Sequence, residues 1–131
     1  MILTQATVYG IYGLVYLVKQ PEGKSVSLSE VSSTVKLPTK FLAKIFQALV
    51  RSGLIRSYRG ARGGFRLNRP KEKINLAEII ESIQGPIQFA RCLNNKTEHA
   101  NRAAYKLGKI FQEIQDYCHN KLESKTLVDF M

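Results

Sequence analysis

Between residues 56 and 70 the chain reads RSYRGARGGFRLNRP, five arginines and three glycines in fifteen positions. A guanidinium presents a planar fork of N–H donors that matches phosphate oxygens, so this stretch suits a polyanion. Three devices could carry it: a glycine-rich loop around a phosphate, a disordered RNA-binding tail, or a tight hairpin. Upstream, Lys40, Lys44, Gln47 and Arg51 are spaced four, three and four residues apart, which places them on one face of a helix. A different chemistry belongs to Cys92, His99, Cys118 and His119, the chain's only cysteines and histidines. Two thiols and two imidazoles suit zinc by donor type. Their spacing matches no zinc finger, however, and helical neighbours such as 118 and 119 point about 100° apart. No nucleophile–base pairing or paired carboxylate stands out, and Glu78 and Glu81 read as the solvated face of a helix, so an enzyme is not expected.

The totals sharpen the polyanion reading. A chain of 131 residues with 44% hydrophobic and 23% charged residues is long enough for one domain with a real core. Its net charge of +10 is unevenly placed. Residues 1–75 hold 13 Lys/Arg against 3 Asp/Glu, whereas residues 76–131 hold 7 against 7. The excess positive charge lies wholly in the first part, which points to nucleic acid ahead of an anionic membrane surface. Two cysteines are too few for a disulfide-built secreted scaffold. The uncharged stretch from Met1 to Val18 lacks a leading positive residue and a cleavage pattern, and Thr4, Gln5, Thr7, Gly10 and Gly13 interrupt it. It falls short of the ~20 apolar residues of a membrane span. A cytoplasmic protein with no membrane partner is expected.

The elements follow from periodicity and punctuation. Residues 4–19 form a helix apolar on nearly every side, which requires cover all round and hints at a partner subunit. "QPEG" at 20–23 stops it. "SLSE" at 27–30 is a capping-box pattern opening a short helix at 28–35, and "KLP" ends that helix. A longer helix at 39–52, closed by Gly53, buries Phe41, Leu42, Ile45, Phe46 and Leu49 and carries the basic stripe outside. "LIRSYR" and "FRLN" read as two strands contributing Ile55, Tyr58, Phe65 and Leu67 to the core, with "GARGG" as the turn. Helix-turn-helix plus basic hairpin is a winged helix, so the arginine stretch is a wing. No strand-then-helix context with a following lysine supports the phosphate loop. "NLAE" opens a further helix with Asn75 as cap and Leu76, Ile79, Ile80 and Ile83 as its core face, ending at Gly85-Pro86. In the last helix, about 100–124, Ala103, Leu107, Ile110, Ile114 and Tyr117 recur at the spacing of a two-helix seam, broadened by Ala104, Phe111 and Cys118. The fold expected is mainly α with a small β-hairpin. A winged helix-turn-helix DNA-binding domain spans 1–86 (wing about 54–68), a sensor-type loop 87–99, and a dimerisation helix with its tail 100–131.

"FLAKIFQALVRSGLIRSYRGARGGFRL" at 41–67 resembles the recognition helix and wing of the Rrf-two (BadM-type) winged-helix transcription regulators. Arg59, Gly60, Gly63, Gly64, Phe65 and Leu67 fit that family's RGxxGGaxL wing pattern, with a for an aromatic residue. "LAEIIESIQGP" at 76–86, "LTxxTxYG" at 3–10 and "TLVDF" near the end fit as well. The resemblance implies a homodimeric DNA-binding regulator, often a repressor, reading a roughly palindromic operator. It also implies, for the cluster-binding members, three cysteines spaced C-x5-C-x5-C before the dimer helix. Here Cys92 occupies the first place, but Glu98 and Ala104 stand where the other two belong. Iron–sulfur clusters want thiolates. Other members lack the cluster and answer to a protein partner.

The expected DNA contacts are therefore Thr39, Lys40, Lys44, Gln47, Arg51, Arg59 and Arg62, with Arg66 and Arg69 merely solvated. Cys92, His99 and Cys118 are the candidate sensor or ligand residues. No cofactor is expected; an iron–sulfur cluster or zinc is the alternative. Cys118 reads as a buried core thiol. Double-stranded DNA and a second copy of the chain are the expected partners, with a protein or small-molecule effector. A winged-helix adaptor that binds protein rather than DNA is the remaining alternative.

Overall fold

A computed structural model describes residues 2–89 and 102–131. Cys92, His99 and most of the expected sensor loop lie outside them. Along the chain run α1 (Gln5–Lys19), α2 (Leu28–Val35), α3 (Thr39–Arg51), β1 (Ile55–Tyr58), β2 (Gly64–Leu67), a 3-10 turn (Lys71–Lys73), α4 (Leu76–Gln84), α5 (Arg102–Glu123) and a last 3-10 turn (Leu127–Phe130). The mainly helical fold with a β-hairpin and a long final helix is as the sequence indicates.

Local chemistry sets the helix ends. Thr4 caps α1 by accepting from the Thr7 amide at 3.2 Å, and the Gln84 side chain then ties this end down. Its Oε1 accepts from the Thr4 amide and from buried Thr7 Oγ1, and its Nε2 donates to the Ile2 carbonyl. Ser27 caps α2 through the Glu30 amide, but Glu30 does not return the bond. Its carboxylate instead accepts from Tyr16 Oη at 3.0 Å and faces Lys24, so half the expected capping box is diverted to fasten α2 onto α1. At the end of α3, Gly53 N–H bonds Val50 O and Leu54 N–H bonds Leu49 O, the paired closure that satisfies terminal carbonyls. Asn75 and Glu78 complete a true capping box at α4.

The core gathers Leu14 and Leu17 of α1, Val31 of α2, and Leu42, Ile45, Phe46 and Leu49 of α3 around Leu54, Ile55, Ile74 and Ile79. Each such side chain contributes about 1.5–3 kcal/mol of burial. Phe41 is not among them. It stands one position round the helix from Leu42, 38% exposed, with its ring edge-on to Tyr9 at 5.9 Å. Helix α1 buries one face only, Thr7, Gly10, Gly13, Leu14 and Leu17. Gly10 and Gly13 let it approach its neighbours closely: a Cβ at Gly13 would lie 2.7 Å from Phe46 Cε1, and one at Gly10 would meet the Ile83 methyl.

The chain's last residues return to this core. Leu127 is fully buried with the α1 leucines, Leu127 N–H bonds Ile74 O, and Leu76 N–H bonds Lys125 O. The far end of α5 is thereby stitched to the base of α4. None of α5 is fully buried in a single chain. Leu107, Ile110, Ile114 and Tyr117 lie open, Tyr117 to 72%, while Ala104, Phe111 and Cys118 are half-buried. A helix with this stripe costs too much apolar exposure to stand alone.

Candidate nucleic-acid interface

The surface built by α3 and the hairpin carries one sign of charge. From Thr39 to Arg69 there are eight lysines and arginines and no aspartate or glutamate. Because α3 turns Leu42, Ile45, Phe46 and Leu49 inward, Lys40, Lys44, Gln47 and Arg51 all face solvent, as their spacing implied. None of the four side chains makes a hydrogen bond or ion pair among the described residues. Thr39, at the first position of α3, is exposed, and its hydroxyl donates to Ser32 Oγ at 3.3 Å. Ser32 in turn donates to the Leu37 carbonyl, so this chain of hydroxyls braces the turn between the two helices.

The hairpin is antiparallel, with Ile55 opposite Leu67, Arg56 opposite Arg66, Ser57 opposite Phe65 and Tyr58 opposite Gly64. Its turn closes through Gly63 N–H to Gly60 O at 2.9 Å. Gly64 has φ +140, and a Cβ there would lie 2.5 Å from the Val26 carbonyl, so two constraints at once require glycine. That carbonyl is occupied: Val26 and Phe65 exchange both backbone bonds, at 3.0 and 2.8 Å. The Phe65 ring meets Phe46 edge-on at 5.0 Å, fastening the wing to the recognition helix. Arg59 and Arg62 sit at the exposed tip with no protein partner among the described residues.

Three expectations need correction. Tyr58 does not contribute to the core beside Ile55. The two are three residues apart in a strand, so their side chains leave on opposite faces, and Tyr58 lies outside at 36% exposure. Arg66 and Arg69 are not simply solvated. Arg66 donates to Ser25 Oγ at 2.7 Å, and Arg69 Nη2 bonds Glu78 Oε1 at 2.9 Å, while Arg69 Nε is buried with no partner among the described residues. Glu78 and Glu81 are likewise engaged: Glu78 in its capping box and with Arg69, Glu81 with the Ile87 amide and with His119 Nε2 at 3.5 Å. Sequence reading also passed over Arg56, whose alternation with Ile55 was the available signal.

Of the sensor candidates the structure describes Cys118. It is a free thiol, half-buried rather than in the core, because α5 lacks cover on that side. Its neighbour His119 lies between Glu81 and Glu123, the latter at 3.7 Å. Among the described residues no three His, Cys, Asp or Glu side chains are arranged to hold a metal ion, and no helix is long and apolar enough to cross a membrane.

This architecture has known counterparts. A family model described as Rrf2, iron-dependent transcriptional regulator, matches residues 3–131. Among solved structures, the chain is similar to CymR (YrzC), the global cysteine regulator of B. subtilis, with 25% identity over 99% of this chain and 95% of that one and a TM-score of 0.79. It is similar to the oxidized form of CymR from Staphylococcus aureus, at 26% identity, 97% and 93% coverage and a TM-score of 0.74. It shares its fold with IscR from T. potens, at 22% identity, 99% and 85% coverage and a TM-score of 0.74. The match takes in α3, the hairpin and the long last helix together, so the chain belongs to the Rrf2 family and is a DNA-binding transcriptional regulator rather than an enzyme.

Proposed function

We propose that two copies pair along α5 and set two heads (residues 1–86) on a palindromic operator, acting as a repressor. The observation that carries this is the stretch from Thr39 to Arg69, which contains no acid, with the α3 cations exposed and, among the described residues, unpaired. Two-fold related heads read half-sites about one helical turn apart. Thr39, Lys40 and Lys44, in the first turns of α3, reach base edges in the major groove. Gln47 reaches bases or backbone, and Arg51 holds phosphate. Arg59 and Arg62 at the wing tip enter the minor groove or grip phosphates. The exposed stripe Leu107, Ile110, Ile114 and Tyr117 supports the pairing, since a second copy is the cover whose apolar period matches. A dimer bound this way acts by occupying its site, which represses wherever the site overlaps a promoter.

Residues 87–99, leading into α5, form the sensing segment in this reading, and the signal is a protein or small molecule. The family description names iron, and the donors described here do not fit a cluster. Among the described residues Cys118 belongs to no group of three ligating side chains, and the chain has only one other thiol, short of the three that the family's cluster takes. In this reading the protein works without a cluster. Anaerobically purified protein should show no visible chromophore and no stoichiometric iron or zinc; either metal in stoichiometric amount overturns this and restores Cys92 as a ligand.

The binding reading is tested with fragments recovered by genomic pull-down and scrambled controls. Lys44→Ala should alter sequence preference, while Arg62→Ala should weaken every duplex alike and flatten the salt dependence. Unchanged affinity in both variants refutes the contacts. A wild-type protein without salt-sensitive duplex binding leaves the protein-binding adaptor.

A further inference from the structure

The outer face of the hairpin carries an arrangement that the contacts above do not use. Arg56 and Arg66 are directly opposite each other in register, so their side chains leave the same face. Like charges in that position destabilise a hairpin. Among the described residues neither arginine has a carboxylate within ion-pair distance. Beside them on the same face stands an aromatic ring. Tyr58 is two residues along the strand from Arg56 and diagonal to Arg66, with the Arg66 guanidinium 4.4 Å and the Arg56 guanidinium 5.8 Å from its centroid. Gly64, opposite Tyr58, has no side chain to compete for the space. Ser25 accepts from Arg66 Nε at 2.7 Å and fixes that guanidinium from the other side, leaving its terminal nitrogens without a protein acceptor among the described residues. Arg66 is thus held in place by Ser25 and the ring, Arg56 lies near the same ring, and among the described residues no carboxylate compensates either charge.

We infer that Arg56, Tyr58 and Arg66 form a second phosphate clamp on the outer face of the wing, whose ligand is the phosphodiester backbone of the duplex beyond the tip contacts of Arg59 and Arg62. The inference rests on the DNA-binding reading and extends it. A preorganised guanidinium loses little rotamer freedom on binding, and a phosphate between two arginines replaces repulsion by two charge-assisted contacts. Tyr58 acts as the positioning residue: its ring face holds both cations within reach of one strand.

The test compares wild-type protein with Arg56→Gln, Arg66→Gln, the double variant and Tyr58→Phe, titrating salt against a pulled-down duplex and a scrambled one. Each arginine should contribute about 0.9 to the slope of log K against log salt, so the double variant should be shallower by about 1.8, equally on both duplexes. Tyr58→Phe keeps the ring and should leave the slope unchanged. Removing one of two repelling charges should leave the melting temperature level or raised, whereas a purely structural pair would lower it. Should Arg66→Gln unfold through loss of its Ser25 bond, Arg56→Gln alone carries the test through a slope shallower by about 0.9. A wild-type slope that is steep but unchanged in these variants overturns the clamp while leaving the DNA reading intact. A flat wild-type slope overturns both.

Discussion

Gly13→Ala sets two opposing terms against each other at the contact that seats the recognition helix. Alanine is worth about 0.8–1 kcal/mol more than glycine inside a helix, which favours the variant. Against this, the new methyl would lie 2.7 Å from Phe46 Cε1 and 3.0 Å from its Cζ, so ring and methyl must part by most of an ångström. Phe46 is fully buried and already meets the Phe65 ring edge-on at 5.0 Å, so its ring has little room to give way. Overpacking of this kind costs about 1–3 kcal/mol, which exceeds the propensity gain over most of its range. The expected net effect is a loss of about 1 kcal/mol, or a fall of about 4 °C in melting temperature for a domain of this size. Gly10→Ala is the internal control. There the nearest obstruction is the terminal methyl of Ile83, the end of a flexible side chain that can rotate away, with Ile45 Cγ2 next at 3.1 Å, so the loss should be smaller than at Gly13. Urea unfolding of both variants, with the midpoint and slope read separately, measures the difference. If Gly13→Ala proves as stable as the wild type, or if Gly10→Ala is the worse of the two, α1 does not pack on Phe46 as described.

Leu127→Ala should cost about 3 kcal/mol, since a fully buried leucine is removed from a core it shares with α1, and hydrogen exchange should show residues 124–131 opening before the rest. Ser27→Ala should cost about 1 kcal/mol in unfolding free energy through its lost cap on α2. Glu30→Gln should cost less, because its carboxylate serves only a half-exposed pair and one tyrosine hydroxyl; a reversed order would mean the capping bond is not what holds the helix start. Ile114→Glu, placed in the open stripe of α5, should convert a sedimenting dimer to a single chain of native circular dichroism; a dimer that persists would move the pairing surface elsewhere.

The helices were legible because their signals are local. Ser27, Asn75, Gly53 and Gly85-Pro86 mark ends through bonds made within a few residues, and the spacing of Lys40, Lys44, Gln47 and Arg51 declares a face without reference to any neighbour. The RGxxGG wing pattern was legible because a tight turn dictates its own glycines. Tyr58 was misread against a local signal, the alternation of its strand; the other misreadings lay where a side chain chooses between partners that are distant in sequence. Glu30 leaves its capping box for Tyr16, fourteen residues away, and Arg66 finds Ser25, forty-one away. Phe41 stays half out because Tyr9 of another helix meets it at the edge.

The sequence by itself determined the order of elements, the acid-free stretch, the wing and the apolar stripe of α5, since periodicity and charge are properties of a chain however it folds. Only the tertiary structure decided that Leu127 belongs to the head's core, that Gln84 closes over the start of α1, and that Arg56 and Arg66 share one face with the Tyr58 ring. Each of these rests on strand register or on packing between segments far apart in the chain. Such pairings are fixed by which burial and hydrogen bonds the whole fold can satisfy together, and no local window of residues contains that information.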